Sequence, residues 1–289
     1  MLSSGKPLWA GVDIAVPRSS DRLPGIHMAG FHRCSPTLME LAMVAHPSVT
    51  ILVDLSEEEG LGYGAHGRGS VVVGLLPGNL RVGGRVGACL QVRLEPAVAA
   101  AVLGASAELS GMAVPLKEVW GREAARAEDR LRAAASWDER FAIVADILER
   151  RLGPGPRVDP EVAFTWRRTL GRRGRVRVEN LADEVGWSRK RLWARFRSQL
   201  GISPKHAARL VRFDHAAYLL AAGRTPAAAA AESGYADQSH LHRETKEFTE
   251  LTPAAVALAP WLAIDDVAWP ASLPTRSTHT GGPRIPDPR

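Results

Sequence analysis

The sequence predicts an α+β chain, with a β-rich N-terminal region, two helices after it, and an all-α C-terminal half. Three observations predict this. Short β-branched or apolar runs alternate with Gly- and Pro-containing stretches up to about residue 110. Strong helical patterns start near Arg122, and a helical unit recurs after roughly 48 residues between Ala182 and Thr245.

The strand candidates are Val49–Leu55, Ser70–Leu76 and Ala88–Leu94. Gly60–Gly69 and Pro77–Gly87 lie between them and read as punctuation, since glycine and proline interrupt strand ladders. Pro96 to Leu103 then reads as a short helix stopped at Gly104. Two stronger helices follow, about Arg122–Ala134 and Trp137–Leu152. The second opens with Ser136-Trp-Asp-Glu139, a capping box in which the serine hydroxyl bonds an orphan amide while the glutamate reaches back. Phe141, Val144, Leu148 and Leu152 recur at helical spacing and mark its apolar face.

Gly153-Pro-Gly-Pro156 is the clearest break, because proline cannot continue a helix and glycine readily leaves one. The expected organisation is therefore residues 1–152, a linker at 153–157, a helical domain at 158–259, and a disordered tail at 260–289, where Pro, Thr, Ser and Gly dominate. A chain of 289 residues commonly forms two domains, and 45% hydrophobic with 24% charged residues suits a soluble protein with a sizeable core.

Within the helical half, Ala182-Asp-Glu-Val-Gly186-Trp187 is matched by Ala230-Ala-Glu-Ser-Gly234-Tyr235. The physical reading is two helices joined by a tight turn. A small alanine permits close approach of the helices, and glycine four residues later ends the first one in the left-handed conformation without a Cβ clash. The following aromatic plugs the angle between helices, and Ser188 or Asp237 caps the second. This is the pattern of a helix-turn-helix, whose second helix is presented to the DNA major groove. Between the copies, Ser203-Pro204 starts a helix of about 18 residues that stops at Gly223, roughly 27 Å of rigid spacer. Such a spacer suits two reading helices set about one DNA turn, ~34 Å, apart.

Charge agrees with that reading. The formal net charge is +6, yet Arg157–Glu250 alone holds 18 Lys/Arg against 11 Asp/Glu, which leaves the remainder near −1. In the helix from Ser188 to Leu200, Leu192, Phe196 and Leu200 form the buried stripe, while Arg189, Lys190, Arg191, Arg195 and Arg197 occupy the remainder. Five cations without an acid repel one another unless an anion lies opposite, which points to phosphate.

These residues resemble the C-terminal module of the AraC/XylS family of transcriptional regulators over roughly Val158–Ala259. The resemblance is carried by Leu181-Ala-Asp-Glu-Val-Gly-Trp-Ser188, Leu200-Gly-Ile-Ser-Pro204, Gly234-Tyr-Ala-Asp-Gln-Ser-His-Leu241 and Leu251-Thr-Pro253. It implies base reading by Lys190, Trp193 and Ala194 in the first unit, and by Gln238, Ser239, His242 and Arg243 in the second. Ala194 stands where the family commonly has arginine, so neighbouring Arg195 is expected on phosphate. Thr245 replaces the customary core phenylalanine, and Glu247 and Glu250 add acid, which predicts a second unit that is less stable or binds DNA less tightly. The N-terminal half resembles the β-rich regulatory domain of such proteins through Gly30-Phe31-His32, His46–Asp54, Leu109–Leu116 and Trp137–Phe141. That resemblance implies a cupin-like fold that receives a signal and mediates dimerisation. Double-stranded DNA is the implied partner. RNA polymerase, a small-molecule effector and a second copy of the chain are further candidates, and no cofactor is implied.

Other chemistries find less support. Cys34 and Cys89 are too few for a disulfide framework or a four-thiolate zinc site, or for the cysteine cluster of a DNA-alkylation sensor. His27, His32, His46 and His66 lack a compact His-x-His pair with a following acid. A Cys34/His32 nucleophile has no sign of activation, and Gly60-Leu-Gly-Tyr-Gly64 precedes no phosphate-binding helix. The chain shows no leader pattern and no apolar run of about 18 residues, so a cytoplasmic, nucleoid-associated location is expected. The competing readings are a nonspecific architectural DNA binder and an enzyme domain fused to a DNA-binding module.

Overall fold

A computed structural model describes residues 12–258, apart from 19–22, 34–37, 44, 57–59, 64–66, 76–79, 86, 105, 154 and 156. The expected tail, Cys34 and His66 lie outside the described residues.

Among the described residues the first half holds ten strands: β1 (Val12–Ala15), β2 (Ile26–Arg33), β3 (Leu38–Met43), β4 (Val49–Asp54), β5 (Gly62–Tyr63), β6 (Gly67–Arg68), β7 (Val71–Val73), β8 (Leu80–Arg85), β9 (Ala88–Leu94) and β10 (Ala113–Pro115). They form two antiparallel sheets, one in the order β1-β2-β9-β4-β7-β10 and one in the order β3-β8-β5-β6. All six residues of β4 are buried, which accounts for a continuous β-branched run in place of alternation.

The stretches read as punctuation require correction. Leu80–Arg85 lies inside Pro77–Gly87, and its six residues pair in register with β3. Gly60–Gly69 contains β5 and β6, which pair with each other, and β5 also pairs with β8. A ladder partner made these glycine-containing segments strands, and local propensity could not reveal that partner.

The helices α1 (Pro96–Leu103), α2 (Leu116–Trp120), α3 (Arg122–Ala133) and α4 (Trp137–Leu152) complete this half. Ser136 caps α4 by accepting from the Glu139 amide at 3.2 Å, and the Glu139 carboxylate accepts from the Ala135 amide at 2.8 Å. The expected reciprocal box forms, with the glutamate reaching one residue further back. The Trp137 ring lies directly on Gly30 of β2, where an added Cβ would meet it at 2.3 Å. Helix α4 thus sits on the larger sheet.

The C-terminal helices are α5 (Pro160–Gly171), α6 (Val178–Glu184), α7 (Arg189–Leu200), α8 (Pro204–Ala221), α9 (Pro226–Ser233), α10 (Gln238–Thr249) and α11 (Pro253–Ala257). One continuous apolar core joins residues of both halves. Gly155 lies against the backbone of Ala101 in α1, where a Cβ would meet the carbonyl oxygen at 2.2 Å. Gly201, just past α7, lies equally close to Ala107. His46 of the first half also approaches Asp214 of α8 at 3.6 Å. The mixed α+β class is as expected.

Candidate nucleic-acid interface

The two repeat copies form the same turn, bond for bond. Gly186 and Gly234 adopt φ of 66° and 79°. The Trp187 amide donates to Ala182, and the Tyr235 amide to Ala230, each at 2.9 Å. The glycine amides donate to Asp183 and Ala231 at 3.1 and 3.2 Å. This paired pattern is the Schellman motif, which satisfies the last carbonyls of the first helix. Ala182 and Ala230 are buried at the crossing, as expected. Each second helix then receives a side-chain cap: Ser188 accepts from Arg191, and Asp237 accepts from His240.

All eleven residues expected at the interface are exposed: Arg189, Lys190, Arg191, Trp193, Ala194, Arg195 and Arg197 on α7, and Gln238, Ser239, His242 and Arg243 on α10. Leu192, Phe196 and Leu200 are buried beneath α7, with the Phe196 ring 6.5 Å from that of Trp166 in α5. At about 100° per residue, Lys190, Ala194 and Ser198 face away from this stripe. Trp193 and Arg197 occupy one flank, and Arg195 and Gln199 the other. On α10 the outward face carries Ser239, His242, Arg243 and also Lys246, an exposed cation that the sequence reading omitted although it continues the same period.

The α7 cations differ in their surroundings. The Asp159 carboxylate, at the start of α5, accepts from Arg195 Nε and Nη2 at 2.8 and 2.9 Å. Glu179 of α6 accepts from Arg189 at 3.1 Å. The guanidinium of Arg191 lies 4.4 Å from the centre of the Trp187 ring, and that of Arg197 lies 5.4 Å from Trp193. Lys190 has no acidic partner among the described residues. The acids that α7 itself lacks are therefore supplied by α5 and α6. Hydrogen bonding from the Gln199 side chain, and then from Arg195, holds the Asp159 carboxyl below its ordinary range.

Beneath α10 lies a buried ionic network. Glu244, only 3% exposed, accepts from Arg209 at 2.9 Å, Arg212 at 3.1 Å and the Tyr235 hydroxyl at 2.8 Å. Arg209 also pairs with Glu247. The acid expected to weaken the second unit thus faces α8 cations in part. Burial and the neighbouring Glu244 push the Tyr235 hydroxyl pKa up, so it donates as a neutral phenol. Thr245 is fully buried with its hydroxyl donating to the Leu241 carbonyl. One turn further on, Phe248 supplies the aromatic that Thr245 lacks, stacking on Phe213 at 5.1 Å between ring centres.

Residues 181–258 match a family model described as a helix-turn-helix domain. An uncharacterized HTH-type transcriptional regulator of Bacillus subtilis (strain 168), YbfI, is 36% identical over 66 residues. Residues 181–258 thus form a helix-turn-helix domain. The match to the Bacillus protein covers 23% of this chain and spans about a quarter (24%) of that relative's length. Among solved structures, ToxT from Vibrio cholerae O395 is 9% identical with a TM-score of 0.44, covering 82% of this chain and 99% of its own. The C-terminal domain of AraT, a response regulator from Geobacillus stearothermophilus, is 22% identical with a TM-score of 0.33, covering 35% of this chain and 87% of its own.

The charged faces of α7 and α10 lie within this helix-turn-helix domain, and His46 of the other half has a local role. His46 Nδ1 lies 2.8 Å from Ser48 Oγ, and its Nε2 lies 3.3 Å from Arg93. Burial, then the Arg93 charge, hold His46 well below its usual pKa. Burial likewise raises the Cys89 thiol to about 12, the reverse of an activated nucleophile. No group of three or more His, Cys, Asp or Glu side chains able to hold a metal occurs among the described residues. No helix among them is long and apolar enough to cross a membrane.

Proposed function

We propose that the protein is a sequence-specific transcriptional regulator, with α7 and α10 lying in two adjacent major grooves of one duplex. The observation that carries this reading is the pair of capped helices following identical Schellman turns. Each exposes the predicted reading residues, and the 18-residue α8 separates them. Lys190, Trp193, Ala194, Gln238, Ser239, His242 and Arg243 face base edges, and Arg189, Arg191, Arg197 and Lys246 face phosphates. Arginine forms a fork to guanine and glutamine a bidentate pair to adenine, so Arg243 and Gln238 carry the sharpest discrimination. Residues 1–152 form the regulatory and dimerisation domain, joined through 153–157 to the DNA-binding domain at 158–259.

Selection of bound duplexes from a random pool with the full chain tests the proposal. Two half-sites centred about one helical turn apart are expected. Binding without sequence preference would establish the architectural reading instead, and no binding would end both.

A further inference from the structure

We propose that Asp159 is an intramolecular stand-in for a DNA phosphate, which withholds Arg195 from the duplex and sets the first unit's sequence-independent affinity. The proposal rests on the DNA-binding reading above and concerns how strongly that site binds.

Both oxygens of the Asp159 carboxylate engage the Nε and Nη2 edge of Arg195, at 2.8 and 2.9 Å. A phosphate meets arginine through the same two-donor fork, so either anion excludes the other from those N–H groups. Asp159 is tied to α7 a second time, through its backbone amide, which donates to Gln199 Oε1 at 2.9 Å. Arg195 and Gln199 are one turn apart on the same flank, so the two bonds fix Asp159 against the helix from which DNA would draw its contact. The Asp159 side chain retains only 25% of its exposure. The other acid on an α7 cation is different. Glu179 makes its contact to Arg189 with side chains 55% and 69% exposed, so that arginine leaves its partner at little cost. Of the five α7 cations, Arg195 is thus the one held by a two-point clamp.

The test uses the full chain with Asp159→Asn, Arg195→Ala and the double variant, each bound to an unrelated duplex across a salt series. Asparagine starts a helix as well as aspartate does, and the Asp159 side chain makes no capping hydrogen bond, so α5 keeps its start. D159N is expected to tighten binding about three- to tenfold and to steepen the log–log salt slope by about one, as one more cation reaches phosphate. R195A is expected to abolish the D159N gain, so that the double variant binds no tighter than wild type and keeps its slope.

Three outcomes would overturn the proposal. The double variant could bind more weakly than wild type with a slope flatter by about one, which would place Arg195 already on phosphate. The double variant could instead keep the D159N gain over wild type, which would reduce Asp159 to general repulsion. D159N could leave affinity unchanged or lower it, which would mean that the clamp withholds nothing. A wild-type chain that binds no DNA would instead end the functional reading, before any variant is made.

Discussion

The two helix-turn-helix units have the same turn and opposite treatments of charge. Helix α7 carries five cations and no acid, over an apolar stripe of Leu192, Phe196 and Leu200. Helix α10 carries two cations and two acids, and docks through the buried Glu244 on Arg209 and Arg212 of α8. What the copies share is what the backbone demands: a small residue at the crossing, a left-handed glycine and a side-chain cap. What differs is what sets docking strength and field. The first unit is held by packing and is strongly cationic. The second is locked by an ionic network and carries little net charge, so the proposed DNA contact there depends more on specific side chains.

The largest expected effect breaks the second unit at its lock. Glu244→Ala leaves Arg209, Arg212 and the Tyr235 hydroxyl without their shared acceptor. Removing one partner of a buried ion pair costs about 3–5 kcal/mol, to be read as a lower urea midpoint. Equal loss from Glu247→Ala, whose carboxylate is half exposed, would show that burial is not what matters. Next comes the reading face. Arg243→Ala is expected to weaken the selected site by about 1–3 kcal/mol and to relax one base position, measured by competition between operator variants. Arg197→Ala should instead weaken all sequences about equally. Operator binding left intact by both substitutions would mean that the faces are wrongly assigned.

His215 of α8 bridges the two units and sharpens the comparison through pH. Its Nε2 accepts from Arg173, ahead of α6, at 3.0 Å, and its Nδ1 lies 3.0 Å from Ser233 Oγ in α9. Burial, then the Arg173 charge, lower its pKa to about 4. Below 6.5 the unfolded chain takes up the proton first. This contribution to stability is therefore complete above pH 6.5 and is lost as pH falls toward 4. The slope attributable to one such group is at most ~1.4 kcal/mol per pH unit. Urea midpoints of the wild type and His215→Gln over that window should converge as the pH falls. Parallel lines would remove His215 from the account.

Legibility in the sequence followed the range of the determining contacts. The turns and caps of both units, and the buried stripe of α7, depend on residues within one or two helical turns, and each formed where expected. Helix α5 was not delineated, because Thr165 and Thr169 interrupt its apolar stripe of Val162 and Trp166. Their hydroxyls donate to the Glu161 and Thr165 carbonyls, which lets them be buried. The β5, β6 and β8 strands depended on partners up to tens of residues away. The same applies to the interface. That Arg195 points outward was legible, whereas Asp159, 36 residues earlier, could not be assigned to it from spacing. The aromatic under α10 is Phe248, which the sequence reading did not single out, because its seat depends on Phe213 of α8.

The smallest expected effect is the difference between the two turn glycines. Gly186 at φ 66° has open space where a Cβ would stand. Gly186→Ala therefore introduces only left-handed strain, about 1–2 kcal/mol. Gly234 at φ 79° faces the Arg175 side chain, whose Cδ would lie 2.8 Å from an added Cβ. That chain is long and flexible, so its displacement adds roughly a few tenths of a kcal/mol to the same strain. Thermal unfolding of both variants measures the gap. A Gly234→Ala cost well above that of Gly186→Ala would mean that Arg175 is a rigid part of the second turn. The charge asymmetry between the units would then extend into the turn itself, where the hydrogen bonds are otherwise identical.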